Sequence, residues 1–357
     1  MSIAAAAVAL TTAMHAQQTQ LTRAEQSIVA RSMEQPQPSA YPVPMPPGVN
    51  LEVLPVLGNV YLIAGPKSNV VVQVGEEGAF VVDSGVAEDS DQIIKAIGVL
   101  TPAAISYIVT TSFDPEHFGG NENLAKAGVN PTLNRPNLTG PGSQEPQGFG
   151  GQPGRQEGAI ILSHENTLNR MSAPTGEKSA VPFAFWPSNT FFTSKKTLTF
   201  NDEPIELLNP PAAYTDGDVM VFFRHSDVIA SGDVINTYGY PVFDPKRGGS
   251  ILGVLSALND IVDIAIPRFN QQAGTRIVPG HGRILNEADV VEYRDMVTII
   301  YERIKLGIDK GMTLAQIKAQ QPTLDYDGLY SIPALTGDMY VEAIFNDVKA
   351  IRPATRR

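Results

Sequence analysis

Residues 109–121 read Val109-Thr110-Thr111-Ser112-Phe113-Asp114-Pro115-Glu116-His117-Phe118-Gly119-Gly120-Asn121. The stretch Ile105–Thr110 predicts a strand, and Asn121–Ala127 starts a helix. Hydroxyl, carboxylate and imidazole groups therefore collect just past the C-terminal end of a strand. Four other segments share that placement: Asp83 in Val-Val-Asp-Ser-Gly, Tyr214 in Ala-Ala-Tyr-Thr-Asp-Gly-Asp, Asp233 in Ala-Ser-Gly-Asp-Val, and His281 in Val-Pro-Gly-His-Gly. Strand ends in layered α/β folds gather at one edge, where sites form.

The surrounding pattern agrees. Val60–Ile63, Val70–Val74 and Ala79–Val82 predict short antiparallel strands, followed by a helix over Ser90–Leu100. Ile160–Leu162 is strand-like, with a polar helix from about Glu165. Further strands are expected at Thr197–Phe200, Ile205–Leu208, Val219–Phe223, Val228–Ala230 and Arg276–Pro279. Helices are expected over Ile251–Ile266, from an Asn286 cap to about Leu306, and over Thr313–Gln320 and Asp338–Ile351. Strands and helices alternating in two halves imply an α/β fold of two packed sheets with helices outside.

The five segments, in this order, resemble the metallo-β-lactamase-fold hydrolases, over roughly Asn50 to Leu306. That resemblance implies an αβ/βα four-layer sandwich of two mixed sheets. The family's second motif is His-x-His-x-Asp-His, usually followed by Gly-Gly; the same frame here is Ser112-Phe-Asp114-Pro-Glu116-His117, then Phe118-Gly119-Gly120. Asp83 falls at the strand-end Asp that orients the metal loop. Tyr214 stands where the family has a His before Thr, Asp233 at the metal-bridging Asp, and His281 at the last ligand.

The departures are informative. One family metal site uses the positions that here carry Ser112, Asp114 and Tyr214, so a three-His zinc site cannot form there. The other is retained as Glu116, His117, Asp233 and His281, with Asp replaced by Glu, one methylene or ~1.5 Å longer. Two imidazoles and two carboxylates suit one ion, Zn²⁺ first, with Fe²⁺ or Mn²⁺ as alternatives. Asp114 is either a further oxygen ligand or only an Asx turn and helix cap. Some family members work with a single zinc at this position. The resemblance thus implies hydrolysis of an amide, lactone, ester or thioester in a small-molecule substrate. Glu116 would hold or deprotonate the water, and Tyr214 would donate to a developing oxyanion unless it is only a buried, hydrogen-bonded filler. The alternative is a metal-depleted, non-catalytic relative that binds a small molecule or protein in the same cleft.

Composition limits the chemistry. The 357 residues hold no Cys, which excludes disulfides, thiolate metal sites and Cys nucleophiles, and only five His. The net charge of −11 lacks the footprint of a nucleic-acid or anionic-lipid partner. His164, in Ile-Leu-Ser-His-Glu-Asn-Thr, is expected to pack or cap rather than to rescue the depleted site, and Asp83 and Ser112 to support the ligands. His225 is expected to be solvated. The segment Phe183–Phe192 holds five aromatics and is expected in the core, with a substrate-pocket wall as the other reading.

Residues 1–16 read as a signal peptide for export to the periplasm or outside, although no Lys or Arg precedes Arg23; His15 would leave with it. No other segment is long and apolar enough for membrane insertion. Residues 17–49 form a Pro-rich lead, with six prolines between Glu34 and Gly48. The main domain is placed at 50–306, with a surface loop over Asn130–Gly158, and 307–357 is a helical extension.

Overall fold

Burial on both faces decides the first sheet. Strand β4 (Gly78–Val82) reads Gly-Ala-Phe-Val-Val and is buried at every position. Ala79 and Val81 face one apolar cluster while Phe80 and Val82 face another. A strand covered on both sides needs a continuous apolar run rather than alternation.

In the computed structural model, β1 (Glu52–Leu57), β2 (Val60–Ala64) and β3 (Asn69–Gly75) lead into β4 as an antiparallel meander. Then β5 (Ile105–Val109), β6 (Ile160–His164) and, after the small hairpin of β7 (Pro174–Thr175) and β8 (Lys178–Ser179), β9 (Asn189–Phe191) add in parallel. The second sheet is an antiparallel run of β10 (Lys195–Phe200), β11 (Glu203–Leu208), β12 (Met220–Phe223) and β13 (Val228–Asn236), closed by β14 (Arg276–His281) parallel to β13. The structure describes residues 42–65, 67–132, 158–265 and 274–351. Residues 1–16, His15, most of the Pro-rich lead and most of the Asn130–Gly158 loop lie outside them. All described residues fall in one compact unit, Pro38–Arg357.

Four layers result. Helices α1 (Ser90–Leu100), α2 (Pro115–Phe118), α3 (Asn121–Ala127) and α4 (Glu165–Ser172) connect the strands of the first sheet. Ile93, Ala96, Ile97 and Leu124 from α1 and α3 pack on its outer face. Phe80, Val82 and Val109 meet Leu207, Val221 and Phe223 between the two sheets. Helices α5 (Ile251–Ile264) and α6 (Glu287–Asp309) cover the second sheet through Val254, Leu258, Ile261, Val297 and Ile300. After α7 (Leu314–Ala319) and α8 (Asp327–Tyr330), α9 (Gly337–Ile351) adds Tyr340, Val341 and Ile344 to the same core. The C-terminal helices thus share the core of the second sheet.

Local chemistry sets several boundaries. Asn286 and Asp289 form a reciprocal capping box at the start of α6, and Thr313 and Gln316 do the same for α7. Strand β1 has no counterpart among the predicted strands because Pro55 interrupts its pattern. It is an edge strand, where a missing N–H is tolerated, and its pairing with β2 is irregular between Pro55 and Leu57. No helix among the described residues is long and apolar enough to cross a membrane.

Candidate metal centre

The C-terminal ends of β4, β5, β13 and β14 converge. Asp83 follows β4 in the left-handed region at φ 63°, a conformation Asp tolerates better than most residues. Its carboxylate accepts from Thr111 N and Thr111 Oγ1, both at 2.8 Å, and from His117 Nδ1 at 2.7 Å. Asp233 lies inside β13 rather than past its end, because the strand runs on to Asn236 through a break in the β13–β14 register, where Gly232 takes φ 54° close against Thr111. His281 ends β14. Gly280 before it must lack a Cβ, which would stand 2.8 Å from Asp233 Oδ1 and 3.0 Å from His117 Cε1. Asn69 Nδ2 donates to the carbonyls of Pro279 and Gly282 at 2.9 and 2.8 Å and fixes the turn around His281.

His117, Asp233 and His281 each offer a ligand atom, and these atoms lie within 4.8 Å of one another. His117 Nε2 is 3.0 Å from Asp233 Oδ2, and His281 Nε2 is 3.2 Å from Asp233 Oδ1. Neither contact has hydrogen-bond alignment: His117 Nε2 and Asp233 Oδ1 are buried with no hydrogen-bond partner. Side-chain exposure rises from 0% at His117 to 13% at Asp233 and 17% at His281, so the cluster opens on the His281 side. Burial disfavours charge on His117, but the Asp233 and Asp83 carboxylates overcome it and raise its pKa well above the ordinary value. Burial opposes charge on Asp233 too, yet the two imidazoles hold its pKa far below the carboxylate range. His281 is raised, with Asp233 outweighing burial.

These residues fit a divalent metal. Two imidazole nitrogens and a carboxylate converge, and two of the atoms, His117 Nε2 and Asp233 Oδ1, are buried without a hydrogen bond and so keep a lone pair or proton for exchange with an ion. A metal-ligating His usually passes its other N–H to a carboxylate, as His117 does to Asp83. Three protein ligands with one open side is the pattern of a catalytic rather than a structural zinc site.

The other expected site residues are placed as follows. Glu116 stands at the rim, its side chain 41% exposed and Oε2 3.9 Å from His281 Nε2, outside the converging group. Asp114 is not brought to that group either: its Oδ2 accepts from Tyr214 OH at 2.8 Å. It occupies the N-cap position of α2 without a side-chain cap bond. Tyr214 is buried, so its phenol is a packed, hydrogen-bonded group, its pKa raised by burial and by Asp114. Ser112 Oγ donates to Asp233 Oδ2 at 3.3 Å. His164 caps α4, Nδ1 accepting from Asn166 N at 3.3 Å, and stays apart from the triad. His225 is exposed. Phe185 and Trp186 pack with Phe113 and Phe118 in a small cluster. Thr111, Asn69 and Arg247 had no sequence signal beyond neighbouring the strand ends and turns. Arg247 Nη2 donates to Tyr214 OH at 2.7 Å and Nη1 to the Phe113 carbonyl at 2.8 Å.

The sequence model of the metallo-beta-lactamase superfamily matches residues 55–281, more than half of the chain and all of this geometry. The chain belongs to the metallo-beta-lactamase superfamily. Among solved structures it is similar to the stereoselective inverting sec-alkylsulfatase Pisa1 from Pseudomonas sp., at 14% identity and TM-score 0.57 over 84% of this chain. It spans 50% of that sulfatase. It is also similar to a metallo-beta-lactamase from Pontibacter korlensis, at 14% identity and TM-score 0.49, over 70% of this chain and 99% of that one. No curated protein matches the sequence. At 14% identity the likeness to the sulfatase shows the fold alone, two mixed sheets between helices.

Proposed function

We propose that the protein is a hydrolase working with one divalent ion, zinc first, held by His117, Asp233 and His281. The observation that carries this is the pair of orphaned buried atoms, His117 Nε2 and Asp233 Oδ1, meeting His281 Nε2 at one open-sided point. An ion there supplies Lewis acidity, making water a competent nucleophile near neutral pH and polarising the bond to be broken. The chain's own groups do the rest. Asp83 fixes the His117 ring and keeps Nδ1 protonated, so that Nε2 is the ligand nitrogen. Ser112 holds one Asp233 oxygen from behind. Glu116, half in solvent beside His281, is placed to orient an incoming water and accept its proton. Tyr214 is bound up with Asp114, so an oxyanion-donor role would first have to break that bond. The substrate class proposed is a small amide, lactone, ester or thioester.

Metal content tests this. Protein purified without chelators is expected to carry near-stoichiometric metal, and His281→Ala to lose it. No metal after loading wild type with Zn²⁺, Mn²⁺ or Fe²⁺ would sink the reading in favour of a non-catalytic binding protein. A panel of lactams, lactones, esters, thioesters and secondary alkyl sulfates, the last suggested by the Pseudomonas neighbour, then identifies the bond.

A further inference from the structure

The half of the site without imidazoles is not simply missing groups; it is built around Arg247. This residue ends the turn Pro245–Arg247, capped by Asp244 and closed by Gly248 at φ 83°. Its carbonyl accepts from Asp216 N at 2.9 Å and from Arg170 Nη2 at 2.8 Å, and Arg170 is in turn paired with Asp216 Oδ1 at 2.6 Å. The guanidinium is equally fixed. Nε donates to Asp244 Oδ2 at 2.6 Å, Nη1 to the Phe113 carbonyl at 2.8 Å and Nη2 to Tyr214 OH at 2.7 Å, with Cζ 5.0 Å from the Tyr214 ring centre.

This anchorage adjoins the triad. Phe113 lies between Ser112, whose Oγ is on Asp233, and Asp114, whose Oδ2 accepts from Tyr214 OH. A guanidinium carries five N–H bonds and three are spent, so each terminal nitrogen keeps one without an acceptor among the described residues. Asp114 does not take them. Its Oδ2 is drawn to Tyr214 OH and stays 3.8 Å from Nη1. The side chain is 23% exposed.

We propose that Arg247 is the specificity residue of the site, receiving an anionic oxygen of the substrate (a carboxylate, sulfate or phosphate group) on its two unspent N–H bonds while the bond to be broken lies over His117, Asp233 and His281. A guanidinium locked before the ligand arrives loses little freedom on binding, and its fork suits planar or tetrahedral oxyanions. Tyr214 and Asp114 then serve to hold it rather than to react.

The proposal rests on the hydrolase reading, and the two can fail separately. The probe is inorganic phosphate, titrated calorimetrically into the zinc-loaded full chain. Arg247→Gln is expected to weaken binding by about tenfold or more at unchanged zinc content, the weight of a charge-assisted hydrogen bond. Arg247→Lys, which keeps the charge without the fork, should fall between. Equal affinity in all three overturns the proposal. Because Arg247 also braces Phe113 and Tyr214, a second measurement uses wild type alone: saturating phosphate should protect Arg247 from phenylglyoxal, read by peptide mass spectrometry, and absent protection overturns the proposal as well. A wild type that takes up no metal refutes the hydrolase reading instead.

Discussion

Nδ1 of His117 lies 2.7 Å from Oδ2 of Asp83, with both side chains buried. A carboxylate only accepts, so the ring donates through Nδ1 and turns Nε2 toward Asp233. Asp83→Asn keeps the left-handed backbone, which Asn also tolerates, but weakens this contact. Zinc affinity is expected to fall about 10- to 100-fold, the usual loss for such a partner, with the fold retained. Competitive titration against a chromogenic chelator measures it; unchanged affinity would mean that Asp83 supports only the backbone.

The pKa shifts give a signed pH dependence. The imidazoles of His117 and His281 have raised values in the metal-free fold, through burial opposed and outweighed by carboxylates. Their stabilisation is therefore fully present below the unfolded value of ~6.5 and is lost as pH rises through the folded values. Asp218, pushed up to about 7 by burial against the hydrogen bonds of Thr215, costs stability in the same direction, as the unfolded chain sheds its proton from ~3.9 upward. Asp233, held low, contributes above ~3.9 and loses this only in strong acid. The metal-free protein should thus lose stability from about pH 4 upward past pH 7. Zinc must displace the imidazole protons, so the rise in Tm on adding zinc is expected to grow from about pH 6 to 8. Calorimetric scans with and without zinc decide this; a flat or shrinking increment contradicts it.

Gly280 packs directly against two members of the triad. An added Cβ would stand 2.8 Å from Asp233 Oδ1 and 3.0 Å from His117 Cε1. Gly280→Ala should push these ligands apart, cost roughly 1–3 kcal/mol by overpacking, and remove bound metal. Urea unfolding and metal analysis of the same sample test both effects. Retained stoichiometric zinc would show that the centre can shift to accommodate a methyl group.

How much of this was legible in the sequence follows from where each residue gets its instructions. Val81 and Ile108 are placed by apolar runs that read as strands on their own, and Asn286 announces a helix through its cap. The five segments mark Asp83, His117, Tyr214, Asp233 and His281 because each sits at a change of local pattern. Arg247 had no such mark. Its role comes from meeting Phe113, 134 residues away, a contact that only the packing of the two sheets creates. Asp114 was ambiguous for the same reason, since its choice between ligand, cap and partner of Tyr214 is settled across 100 residues. Strand β1 was hidden by Pro55, which edge position excuses.

His164 separates a structural histidine from a ligand. Its Nδ1 accepts from Asn166 N at the start of α4, and burial lowers its pKa, which suits a neutral acceptor. His164→Ala should cost about 0.5–2 kcal/mol of stability and leave the metal content unchanged. Chemical denaturation with metal analysis tests this, and lost zinc would assign His164 to the centre after all.

Glu116 is the sharpest test of how the centre divides its labour. Its backbone carbonyl is tied to Ser68 Oγ, while its carboxylate is left at the mouth, 3.9 Å from His281 Nε2 and outside the converging group. A water-handling residue and a ligand differ in what their removal does. Glu116→Gln keeps the shape and removes the base, so zinc content should stay stoichiometric while kcat falls by about 10²–10⁴ on whichever substrate the panel identifies. Asp233→Asn, in contrast, replaces the one carboxylate touching both imidazoles and should lose the metal itself. Metal analysis beside steady-state kinetics distinguishes them. If Glu116→Gln also loses zinc, the longer carboxylate swings in as a fourth ligand, and the proton must leave the water through another group.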